Sequence, residues 1–204
     1  MIKGGKGGGN TRTGLVFEGK VDLSTFLSKQ PGYKINNGNV FYRGEKVARI
    51  FKKHTFYEFL NEIGIDWKAI ISKQLLPDDS IYIIINNTLF IIECKHQQVA
   101  GSVDEKLQTC DFKKKQYQRL MAPANIEVEY MYLLDNWFRD AKYKDVLDYI
   151  ISVGCQYYFE YIPSIKIGLP VPPEFNNRLT ICYNHIIDPE IVILPSYKVI
   201  VLNC

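Results

Sequence analysis

The stretch from Leu76 to Thr109 constrains the fold of this 204-residue chain more than any other. Two runs of β-branched and aromatic residues, Ser80 to Ile85 and Thr88 to Lys95, flank the pair Asn86-Asn87. Asn tolerates positive φ, so the pair makes a good two-residue turn and the runs read as the arms of a β-hairpin. Pairing Ile85 with Thr88 and counting outward sets Ser80 opposite Glu93 and Asp78 opposite Lys95. Cross-strand partners share a face, and side chains along a strand repeat with period two. Asp78, Glu93 and Lys95 are therefore expected on one side at the open end of the hairpin, with Asp79 and Cys94 on the other. A three-residue loop would slip the register and bring Asp79 forward instead.

Those residue types share a chemistry. Mg²⁺ prefers oxygen ligands in octahedral geometry and takes one or two protein carboxylates, keeping waters and substrate phosphate oxygens as its other ligands. Asp78 and Glu93 supply two carboxylates, and the carbonyl of Cys94 offers a neutral ligand. A cation held there lowers the pKa of a bound water and offsets charge growing on a phosphorane-like transition state. Lys95, a compact point charge, would orient the water or stabilise the same charge. The rival reading is a hairpin ending in a surface ion pair. A Glu and a Lys at the end of an otherwise apolar strand argue against it, because unpaired buried charge is costly.

The order Pro77-Asp78, fourteen residues, then Glu93-Cys94-Lys95 resembles the PD-(D/E)xK nuclease motif. The run onward through His96-Gln97 and Gly101 to Lys106 is similar to type II restriction endonuclease-like proteins. The resemblance implies an α/β restriction endonuclease-like core: a central mixed β-sheet flanked by helices, here with a C-terminal β-rich extension. It implies a Mg²⁺-dependent, sequence-specific endonuclease acting on double-stranded DNA, and a homodimer, since each chain carries one site and a duplex has two strands. It also points to Glu18, in a helix upstream, as an accessory acid. A structure-specific repair nuclease, a nickase, or a catalytically silent DNA-binding domain would keep the same fold. The intact Asp78, Glu93 and Lys95 set speaks against silence.

The remaining sequence is compatible with this. Two hundred residues suffice for one domain with a real core, so residues 1–204 are read as a single unit. A net charge of +3 permits polyanion binding only as a local surface. Candidates for that surface are Asn10, Thr11 and Arg12, at the end of a flexible glycine-rich basic arm over residues 1–12, and Lys106, Lys113 and Lys114 further on. No Gly-Lys-Ser/Thr follows the glycines, so the arm is not a phosphate-cradling loop and no nucleotide cofactor is expected. No apolar run is long enough for a membrane span, and no secretory h-region is present. The five cysteines include no Cys-x-x-Cys and have no partner His at zinc spacing, which reads as idle thiols in a reducing cytoplasm. His54, His96 and His185 are scattered and not read as catalytic.

Elsewhere the pattern predicts a helix over Gly14 to Ser28 and a second hairpin over Asn39 to Ile50 around Arg43-Gly44-Glu45. Helices are predicted over Thr55 to Gly64, Asp66 to Leu75, Ser102 to Met121 (Ser102 and Glu105 forming a capping box) and Tyr143 to Val153. Glu127 to Leu134 and Gln156 to Tyr161 read as strands. Residues 162–204 read as an extension: a Pro-rich extended loop over Ile162 to Glu174, then closing strands.

Overall fold

The computed structural model describes residues 23–97, 103–160 and 162–171. Seven strands form one mixed sheet in sequence order: β1 (Tyr33–Asn36), β2 (Asn39–Tyr42), β3 (Glu45–Phe51), β4 (Asp79–Ile83), β5 (Thr88–Lys95), β6 (Glu127–Leu134) and β7 (Gln156–Phe159). β1 to β5 are successively antiparallel, whereas β5, β6 and β7 are parallel. Among the described residues five α-helices accompany them: α1 (Leu23–Ser28), α2 (Thr55–Glu62), α3 (Val103–Leu107), α4 (Cys110–Met121) and α5 (Lys144–Ser152). This is the mixed sheet with flanking helices that the resemblance implied.

The sheet separates two cores. Leu89, Ile91, Tyr130, Tyr132 and Leu134 face Phe56, Leu60, Tyr117, Leu120 and Ile150 of the helices α2, α4 and α5. Phe90, Ile92, Met131 and Leu133 face Leu23 and Leu27 of α1 together with Ile162, Ile167 and Leu169. β5 lies between β4 and β6 and is covered on both faces, which explains its unbroken apolar run.

Several expectations need correction. The β4–β5 loop has four residues, Ile84 to Asn87, and Ile83 pairs with Thr88, two positions away from the expected register. Ile84 donates its N–H to Val47 of β3, Asn87 takes a left-handed φ of 53°, and its side chain ties to Tyr82 and to the Asn125 carbonyl. A slip of two preserves the faces, so the argument about Asp78 and Glu93 survives the wrong count. The expected helix over Ser102 to Met121 is broken between α3 and α4, where the Thr109 hydroxyl and N–H both bond the Lys106 carbonyl. Ser102 and its capping box lie outside the described residues.

Over Asp66 to Leu75 only a 3₁₀ turn forms, Trp67–Ala69, capped by the Asp66 side chain; the Tyr57 hydroxyl bonds both N–H and carbonyl of Leu75. β1 was not foreseen. Residues 162–171 are not a free extended loop: a 3₁₀ turn, Ser164–Ile167, ends at Gly168 (φ 73°) and plugs the second core. Of the expected helix over Gly14 to Ser28, only α1 falls among the described residues. The glycine arm and the strands expected after residue 172 lie outside them.

Candidate active site

β5 outruns its antiparallel partner. The β4–β5 ladder ends at Asp79 opposite Ile92, while β5 continues through Glu93, Cys94 and Lys95 paired only with β6. One step beyond the ladder, Asp78 comes level with Glu93 on the helix-covered face. This is the carboxyl end of parallel strands, the usual place for a ligand crevice in an α/β sheet.

Three charged groups converge there. Lys95 Nζ lies 2.9 Å from Glu93 Oε2 and 3.8 Å from Asp78 Oδ2, and 5.9 Å above the Tyr132 ring. Glu93 is buried, its side chain 8% exposed, whereas Asp78 at 32% faces the opening. A fourth group joins them from α4: Lys113 Nζ donates to both Glu93 oxygens, at 2.7 and 2.8 Å. Burial alone would raise the Glu93 carboxyl pKa, but Lys95 and then Lys113 outweigh it, leaving that pKa below the ordinary carboxylate value. Burial would likewise lower Lys95, yet Glu93 and Asp78 hold its ammonium above the usual lysine range.

Residues 36–121, from the end of β1 to the end of α4, match a family model described as a PD-(D/E)XK nuclease superfamily domain. That stretch is similar to a PD-(D/E)XK nuclease domain. It contains all four converging side chains. No curated protein and no solved structure matches the chain.

The donor chemistry of this site suits a hard divalent cation. Two carboxylates of unequal exposure meet at one point; among the described residues no group of three or more His, Cys, Asp or Glu is placed to hold a metal ion. One or two carboxylates are the share a protein gives a hard divalent cation whose other positions are taken by waters and substrate oxygens. The Tyr130 hydroxyl is fully buried beside Glu93 and Tyr132, and its interaction with Glu93 helps keep that carboxyl ionised. The Cys94 carbonyl belongs to β5 itself, while its thiol turns to the opposite core.

Asp79, the alternative acid, turns to the other face of the sheet, buried, with Lys52 Nζ 3.9 Å from its Oδ1. His96 also leaves the site: its Nδ1 lies 2.5 Å from Asp135 Oδ2, and Asp135 accepts from the Gln97 N–H. Lys106 is exposed at the end of α3, its carbonyl accepting from the Tyr132 hydroxyl. Lys114 points away from Glu93, donating to the Gly154 carbonyl at 2.6 Å and pairing with Glu129 at 3.3 Å. Glu18, Asn10, Thr11 and Arg12 lie outside the described residues.

Sequence reasoning grouped Lys113 with Lys114 as basic surface and missed its place beside Glu93. The signal was present. Cys110, Lys113, Tyr117, Leu120 and Met121 repeat at helical spacing, and all but the lysine are buried apolar positions. A lysine inside an inward stripe needs a buried anion to meet it.

Proposed function

We propose that this chain is a Mg²⁺-dependent, sequence-specific endonuclease of double-stranded DNA, similar in kind to a type II restriction enzyme. One observation carries the reading: a single ammonium, Lys95, lies between the Asp78 and Glu93 carboxylates at the carboxyl end of β5. Asp78 and Glu93 would hold the cation, with the Cys94 carbonyl as a neutral oxygen. Bound there, the cation supplies a water of lowered pKa and positive charge against the phosphorus centre. Lys95 donates hydrogen bonds to a non-bridging phosphate oxygen and stabilises the negative charge that grows on it. The buried wall formed by Tyr130 and Tyr132 keeps bulk water from Glu93 and strengthens each of these interactions. Glu18 is an accessory acid, and Asn10, Thr11, Arg12 and Lys106 contact the DNA backbone.

A chain with one such site cuts a duplex as a homodimer whose twofold matches a palindromic target. The whole chain serves as one catalytic domain. Among the described residues no helix is long and apolar enough to cross a membrane, and Cys94, Cys110 and Cys155 are free thiols, as a cytoplasmic enzyme would keep them.

The test is incubation of circular duplex DNA with the protein in Mg²⁺ or EDTA. Discrete linear fragments in Mg²⁺ alone are expected, and Lys95→Ala should bind DNA yet leave it whole. Nicked circles would replace the dimer with a nickase. Untouched DNA with the unaltered protein, or full cleavage by Lys95→Ala, would refute the mechanism.

A further inference from the structure

We propose that Lys113 is a displaceable counter-ion: it neutralises Glu93 while the nuclease lacks metal, yields that carboxylate to the divalent cation, and carries its freed ammonium to the DNA backbone. The inference rests on the reading of Glu93 as a metal ligand. Lys113 bridges both Glu93 oxygens, at 2.7 and 2.8 Å, and Lys95 takes one of them again at 2.9 Å. A carboxylate offers about four lone-pair sites, and three contacts of ammonium already use most of them. A cation arriving on Glu93 would also meet an ammonium a few ångströms away, and repulsion between them falls on the partner free to move.

That partner is Lys113. Lys95 is fixed between Glu93 and Asp78 and shielded by Tyr132, with 18% of its side chain exposed; Lys113 has Glu93 as its hydrogen-bond partner and is 26% exposed on a helix rim. Its neighbour Lys114 holds α4 in place through Gly154 and Glu129, so the lysine side chain can swing without the helix moving. Lys113 thus sets how readily the nuclease takes up metal, and ties metal uptake to release of a positive charge beside the substrate.

The experiment is calorimetric titration of Mn²⁺ into the DNA-free protein, comparing the unaltered chain with Lys113→Met, Lys113→Arg, Lys114→Met and Glu93→Gln. Removing the competing ammonium should tighten Mn²⁺ binding about tenfold, the worth of one charge-assisted hydrogen bond. Lys113→Arg should not tighten it, Lys114→Met should leave it unchanged, and Glu93→Gln should abolish it. Equal or weaker binding by Lys113→Met would overturn the proposal, as would equal tightening in Lys114→Met. No Mn²⁺ binding by any form that Glu93→Gln removes would sink the metal reading itself. With Ca²⁺ in place of Mn²⁺, the slope of log DNA affinity against log salt should shrink by about one phosphate's worth in Lys113→Met. An unchanged slope would overturn the transfer to DNA.

Discussion

Glu93→Gln should destabilise the metal-free protein, contrary to the common outcome in which removing a catalytic charge stabilises a fold. Glu93 is buried and holds two ammonium groups, Lys95 and Lys113, with Asp78 the other nearby anion. Neutralising it leaves two cations against one half-exposed aspartate. Breaking a buried ion pair by removing one partner costs about 3–5 kcal/mol. The lysines keep some contact with water and the new amide still accepts one hydrogen bond, so about 2–3 kcal/mol is expected here. For a chain of this length that corresponds to a fall in Tm of about 4–12 °C.

The sign with pH follows from the lowered pKa of Glu93. A carboxylate whose folded pKa is depressed contributes stability above its unfolded pKa, near 4.3, and loses it as pH falls through the folded value. The difference between the two proteins in urea unfolding should therefore be full at pH 7 and vanish in strong acid. Adding Lys113→Met to Glu93→Gln should recover part of the loss, since it removes one of the stranded charges. A Glu93→Gln protein as stable as the parent at pH 7, measured without metal, would refute this electrostatic account.

Asp78→Asn should abolish cleavage with little change in Tm, whereas Asp79→Asn should lower Tm and spare Mn²⁺ binding; calorimetry and melting of the two variants separate the acids, and the reverse pattern would exchange their roles. Gly38→Ala should cost about 1–3 kcal/mol in urea unfolding, because Gly38 sits at φ +75° and an added Cβ would lie 2.8 Å from the Ile50 carbonyl oxygen. Burial raises the phenol pKa of Tyr117, Tyr130 and Tyr132, with the Glu93 charge adding to it. Groups with raised folded pKa stabilise fully below the unfolded value and lose that contribution above it, so stability should drop once pH exceeds about 10. Tyr130→Phe should soften that alkaline loss.

How far the sequence reached is clearest at the hairpin. The loop length was misjudged by two residues, yet Asp78, Glu93 and Lys95 still fell on one face, because parity survives any even slip. Strand β6 was read to its observed ends, since alternation and apolar density there leave no other element. Shorter-range competition was invisible: Thr109 breaking the helix before α4, or Tyr57 capturing the backbone of Leu75, depends on hydroxyls that find partners only after packing.

What the amino-acid sequence determined alone is the charged end of an apolar strand, because period-two geometry is local and a buried Glu and Lys demand each other. What only the tertiary structure decided is the company they keep. Lys52 lies beside Asp79 and Asp135 holds His96, while Lys113 reaches Glu93 from a helix twenty residues later. Contacts between elements depend on how sheet and helix dock, and no spacing within a single strand or helix encodes that distance.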